Sequence, residues 1–318
     1  LVYQREASIK LIFAENNEEI IFTDPSTDPY TNGDVEALIN QNQTNIDNII
    51  GDDNYDIGHV FAKDGSGLAW NPSVCVNLYK ARATTGTPTP IGDPFDIDYV
   101  CHEVGHQFGA DHTQNNDCER NENGIHAYEP GSASTIMGYA GICPPNLQNN
   151  SNDYFHTHSF DEITNQINGE VGVIDCSQHL ETGNNIPVAF AGDGGFTIPV
   201  GTPFELIGDA NDPDAADELT FCWEQFDLGP VTSDSDFNLT NPSGNQPIFR
   251  SWPPSLSSTR VFPRIQDLLA STTTIGEHLP TYSRDLTFRL TVRDNRANGG
   301  GVSYDQIAFD VSDIAGPF

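Results

Sequence analysis

The chain has 318 residues, 36% of them hydrophobic, enough for packed cores and suggestive of two domains rather than one. Thirteen lysines and arginines stand against 46 aspartates and glutamates, a formal net charge of −33 that repels phosphate backbones and argues against a nucleic-acid partner. No apolar run reaches the length of a membrane span, and no leader is visible at Leu1, so the sequence reads as beginning after a removed leader and prodomain.

In chain order, residues 7–13 alternate and are rich in apolar side chains, which predicts an opening strand. Residues 32–50 place Val35, Leu38, Ile39, Ile46, Ile49 and Ile50 at helical spacing. Asn32, Gly33 and Asp34 offer capping chemistry before that helix, and Gly51 stops it. Short strands are expected over 56–62, 67–70 and 74–79, followed by a Pro- and Gly-rich loop over 86–94. The next helix begins near Phe95 or Asp96 and carries the string HEVGHQFGADH, from His102 to His112.

That string holds the chemistry. His102 and His106, four residues apart, project from one face of a helix, with Glu103 beside them. Gly109 lets the chain leave the helix so that His112 can return as a third ligand. Three neutral imidazoles leave a fourth zinc position open for water, the layout of a catalytic rather than a structural site. Downstream, STIMGYAG contains Met137, the sole methionine of the chain, and Tyr139 two residues beyond it.

The long histidine motif followed by a methionine turn resembles the metzincin zinc metalloproteases. The resemblance covers roughly residues 1–170 and implies an α+β zincin-like catalytic domain. Met137 would form an apolar floor beneath the metal without ligating it. Tyr139 would reach the zinc and hydrogen-bond the reaction intermediate, as in astacin-like and serralysin-like members; a phenol packed with its hydroxyl satisfied locally is the other reading. The segment Gly67, Leu68, Ala69 resembles the edge strand that binds an extended substrate by backbone hydrogen bonds, against a plain loop or interior strand. Adamalysin-like (reprolysin) members usually carry an aspartate directly after the third histidine; Thr113 stands there and looks more like the pappalysins.

Six cysteines, at 75, 101, 118, 143, 176 and 222, suit an oxidising compartment, and none forms a CxxC pair. A Cys118–Cys143 bridge would close the loop containing the methionine turn; Cys101 would either bridge to Cys75 or remain a buried thiol. Residues 114–124 read as loop, and 159–167 as a closing helix with a Ser159–Glu162 capping box. His156 and His158 precede it and are expected to be exposed structural histidines rather than contacts to substrate or metal.

Composition shifts after Cys176. We expect a catalytic domain over 1–180, a polar linker over 181–186 and an all-β, immunoglobulin- or PKD-like sandwich over 187–318. Strands are expected over 196–200, 204–207, 219–223, 286–292 and 307–311, a short helix over 265–270, and Trp223 in the core. Asp209, Asp212, Asp214 and Asp217 carry oxygen ligands of the kind calcium takes, though ordinary turns use the same residues. The expected protein is a secreted, monomeric, zinc-dependent endopeptidase acting on protein or peptide substrates. His102, His106 and His112 would hold one zinc, and Glu103 would act as general base. A secreted adhesin with a structural zinc site is the alternative, and Glu103 argues against it, because a structural site has no use for a base.

Overall fold

Residues 1–63, 66–118, 124–169, 175–232, 239 and 242–315 are described in the computed structural model, and the loop expected over 114–124 lies outside them at 119–123. The helices are α1 (Val2–Ala7), α2 (Val35–Ile49), α3 (Asp93–Phe95), α4 (His102–Gln107), α5 (Thr157–Ile167) and α6 (Ile265–Ala270). The early strands are β1 (Val60–Ala62), β2 (Leu68–Ala69) and β3 (Ala83–Gly86). The later ones are β4 (Val188–Phe190), β5 (Thr197–Pro199), β6 (Phe204–Ile207), β7 (Asp209–Asn211), β8 (Thr220–Gln225), β9 (Thr259–Phe262), β10 (Arg284–Arg293) and β11 (Val302–Ser312). By their contacts the residues fall into two compact units, one made of Lys10–Asp111 and Phe160–Leu180, the other of Leu1–Ile9, His112–Ser159 and Glu181–Phe318. Among the described residues no helix is long and apolar enough to cross a membrane.

In the unit built on residues 10–111, α2 forms where the apolar spacing predicts. The Asp34 side chain accepts from Ala37 N at 3.0 Å and caps it, and Gly51 follows its end at φ +92°. Its buried face packs Ile46 and Ile50 against Tyr55 and Ala81. Two buried amides add direction to that packing: Gln43 Oε1 accepts from Ala81 N at 2.8 Å, and Asn42 Nδ2 donates to Ala81 O at 2.7 Å. They fix the start of β3, which runs parallel to β1 and antiparallel to β2, leaving β2 at one edge of the three-stranded sheet.

Four expectations differ here. No strand forms over 10–13, where Leu11, Ile12 and Phe13 are exposed and no neighbouring strand pairs with them; Ala7 instead ends α1. Residues 74–79 turn rather than extend, because Cys75 and Leu78 take left-handed φ values and Val76 N and Tyr79 N bond back three residues. The 56–62 strand shortens to β1. Cys75 bridges to Cys176, not to Cys101, which stays outside both disulfides.

The other unit is dominated by the sheet β5-β11-β10-β8, in which β10 pairs antiparallel with both β8 and β11. Two-stranded pairs β4-β7 and β6-β9 accompany it. Leu286, Phe288, Leu290 and Val292 alternate along β10 and bury with Phe204, Phe249, Phe262, Phe309 and Trp223 in one core. Each such side chain contributes about 1.5–3 kcal/mol on burial. The intervening residues Arg289, Thr291 and Arg293 are buried as well. Arg293 meets Glu6 of α1 at 2.7 Å, both 1% exposed, and donates to Phe155 O at 3.1 Å. Glu224 of β8 accepts from Thr157 N at 3.0 Å, where α5 starts, and from Thr291 Oγ1 at 3.2 Å. Helix α5 therefore begins before the expected capping box, with Ser159 inside it. One face of this sheet buries apolar side chains; on the other, Glu224 of β8 and Arg289 and Arg293 of β10 meet a hydrogen-bonded layer from Glu6, Phe155 and Thr157, while Tyr304, Gln306, Ala308 and Asp310 of β11 stay exposed.

Candidate active site

Helix α3 runs through a π-helical turn, Asp96–Cys101, directly into α4. Such wide turns gather at functional sites because they re-aim the residues that follow. His102 and His106 then share one face, with ring centroids 4.7 Å apart and Nε2 atoms at 3.1 Å. His106 Nδ1 lies 2.7 Å from Ala110 O, a carbonyl that can only accept. The proton must therefore sit on Nδ1, which leaves the Nε2 lone pair facing His102. Two nitrogens of a tetrahedral zinc stand about 3.3 Å apart, close to the separation seen.

The helix ends within the motif. Phe108 N bonds to Val104 O at 3.0 Å, then Ala110 N to Gly105 O at 3.0 Å, with Gly109 at φ +89° between them. A left-handed C-terminal residue is the conformation glycine adopts without strain. After this turn a ring nitrogen of His112 lies within 4.8 Å of nitrogens from His102 and His106, and all three side chains are buried. A buried trio of imidazoles converging on one point fits a divalent zinc ion.

Glu103 is buried and lies against the head of β2: a Cβ built on Gly67 would sit 1.9 Å from Glu103 Oε1. Only glycine leaves room for that carboxylate. Gly67, Leu68 and Ala69 thus lie at the edge-strand position beside Glu103, with Leu68 paired to Thr84 and Ala69 to Ala83 of β3.

Met137 is fully buried in a tight turn closed by Gly138 N to Thr135 O at 3.0 Å and Tyr139 N to Ser132 O at 2.8 Å. Gly138 is required there, because a Cβ would come within 2.4 Å of Ala133 Cβ. Met137 O accepts from Thr113 N at 3.2 Å, and the Tyr139 ring is 4.6 Å from that of His112. The turn thereby touches the third histidine itself and the residue that follows it. Cys118–Cys143 forms as expected, closing the loop that contains the turn.

Other histidines differ from expectation. His156 is 1% exposed rather than on the surface, and His158 pairs with His126 at 2.9 Å under the Tyr128 ring. His59 joins Gln107 Oε1 of α4 at 2.9 Å to Thr85 Oγ1 of β3 at 2.8 Å. Desolvation pushes its imidazole down to about 4, against the bond to Gln107. The acidic group Asp212, Asp214 and Asp217 is taken up by turn and ion-pair chemistry. Asp212 Oδ1 accepts from Asp214 N at 2.7 Å, and Asp214 pairs with Arg296 at 2.8 Å. Calcium has no support there.

Sequence reasoning missed Glu129. It is 1% exposed and bonded to Thr113, directly after His112, and to Ser134, within the buried turn. A lone glutamate in an irregular stretch carries no periodic or motif signal.

A mixed α/β chain with a buried trio of zinc-type ligands at a helix end defines a zinc metallopeptidase. Residues 1–167 match the M12B reprolysin-like metallopeptidases, and the chain belongs to that family. The matched region is therefore that of a zinc metallopeptidase. No curated protein matches it. Among solved structures, a nucleoside hydrolase-related hypothetical protein from Saccharophagus degradans is 15% identical over 48% of this chain, with a TM-score of 0.24. The chain spans 31% of that protein's length, and the likeness carries no argument.

Proposed function

We propose that the protein is a secreted endopeptidase in which His102, His106 and His112 hold the zinc and Glu103 is the general base. Zinc so held supplies a Lewis acid that polarises the scissile carbonyl and acidifies water. Glu103 takes the proton from the attacking water and passes it to the leaving amine. Its carboxylate, set against Gly67, lies next to the edge strand β2, where Gly67, Leu68 and Ala69 would align an extended peptide by backbone hydrogen bonds. The Tyr139 hydroxyl donates to the developing oxyanion, and Met137 forms the apolar floor. The observation that carries this reading is the convergence of the three imidazoles, with Glu103 on the same helical turn.

Two disulfides support an extracellular setting. The monomer is taken as the working unit, since one chain supplies every residue named. In chain order, 1–180 is the catalytic region, 181–186 a linker and 187–318 an immunoglobulin-like sandwich; the antiparallel β8-β10-β11 sheet and its aromatic core support the sandwich, with residues 1–9 and 112–159 packed in the same unit as those strands rather than apart from them. Casein digestion by the full chain should stop with a chelator and return with added zinc; digestion unaffected by chelation contradicts the reading. In the same assay Tyr139→Phe should lower turnover far more than zinc content, and equal turnover removes Tyr139 from the mechanism.

A further inference from the structure

Glu129 sits outside the histidine motif, yet the residues that follow His112 and those that lead into Met137 converge on it. Its carboxylate is 1% exposed. Thr113 Oγ1 donates to Oε1 at 2.8 Å, and Thr135 Oγ1 donates to the same oxygen. Ser134 N and Ser134 Oγ reach Oε2 at 3.0 and 3.1 Å. The backbone repeats the connection: Glu129 N donates to Thr113 O at 2.9 Å, Asn115 N to Glu129 O at 2.9 Å, and Thr113 N to Met137 O at 3.2 Å. Ser134 Oγ also lies 3.0 Å from Ser251 O, so its one proton is shared between the carboxylate and residue 251.

Hydrogen bonds to an ionised acceptor are about twice as strong as neutral ones, and a buried carboxylate needs several donors to stay buried. Here the donors come from two places at once. Thr113 follows His112 directly, so holding Thr113 fixes where the third imidazole leaves the backbone. Ser134 and Thr135 open the turn that carries Met137.

We propose that Glu129 is a positioning residue of the metal centre: it locks the chain leaving His112 to the methionine turn in one register. It touches neither metal nor substrate, and acts through Thr113 and through Ser134 and Thr135. The inference rests on the zinc reading above. Removing one donor or the acceptor lets His112 and Met137 move independently, and outer partners of this kind change metal affinity by about tenfold to a hundredfold.

The test uses the full chain with its metal exchanged. Thr113→Val removes one donor at nearly constant shape, and Glu129→Gln places an N–H₂ group where only acceptors belong. Zinc affinity is measured by chelator competition, and ligand geometry by the visible spectrum of the cobalt(II) form. Leu290→Ala, in the apolar core of the β-sheet, is the destabilised control. Both test variants should bind zinc about tenfold to a hundredfold more weakly and shift the cobalt bands, while Leu290→Ala lowers Tm and leaves both readouts unchanged. If Glu129→Gln does not fold, Thr113→Val alone carries the test. Wild-type affinity and spectrum in Thr113→Val, or the same change in Leu290→Ala, overturn the proposal and leave the zinc reading standing. A wild-type chain that binds neither metal overturns both.

Discussion

Gly67 and Glu103 show what single residues contribute beyond a motif. The motif made Glu103 legible, and chain order alone suggested Gly67 as part of an edge strand. Their steric dependence was not legible, because sequence carries no distance between residue 67 and residue 103. With a Cβ placed 1.9 Å from Glu103 Oε1, Gly67→Ala forces the carboxylate to move. A displacement near 1 Å in a reacting group costs about a hundredfold in rate. Gly67→Ala should therefore lower kcat by about that factor with zinc content unchanged, measured by steady-state kinetics and elemental analysis. A variant with wild-type kcat would separate Gly67 from the base. Cys75 illustrates the opposite limit: its partner was not legible, since disulfide pairing follows the fold that brought it to Cys176 rather than to Cys101.

Elements with strong periodicity were readable. Helix α2 carries its apolar face and its Asp34 cap in the sequence, and β6 and α6 fall where composition placed them. The 7–13 and 74–79 segments were not readable, because alternation there has no partner strand and left-handed residues break it. His59 connects two of the elements behind the site, α4 through Gln107 and β3 through Thr85. Desolvation lowers its value from 6.5 to about 4. Between those limits the unfolded chain holds a proton that the folded chain lacks, so stability rises with pH across the window. This contribution is complete above 6.5 and is lost as pH falls towards 4. Thermal melts from pH 7 down to about 4 should fall less steeply for His59→Gln than for wild type, since the variant cannot take up that proton. Equal slopes would show that His59 does not govern the acid response.

At the scale of the whole chain, the composition shift after Cys176 is plain, but what the later strands do is not. Arg289, Thr291 and Arg293 alternate with apolar residues along β10 and read as a solvent face. Instead they are buried with Glu6, Phe155 and Thr157, so residues 1–9 and 112–159 share a compact unit with 181–318. Ending the chain at residue 180 strands the backbone groups that Glu224 and Arg293 satisfy and the Tyr154 hydroxyl bonded to Ser251, and buried polar groups left unpaired each cost about 1–3 kcal/mol. The shortened chain should show no cooperative melt and no casein digestion even with added zinc. A stable, active 1–180 fragment would make the later strands an independent module. The account as a whole depends on one metal position, which diffraction from full-length crystals on both sides of the zinc absorption edge reads directly. It predicts a strong anomalous peak about 2.0–2.1 Å from one nitrogen each of His102, His106 and His112. A peak on other residues, or zinc-containing protein with no peak at this trio, would contradict it.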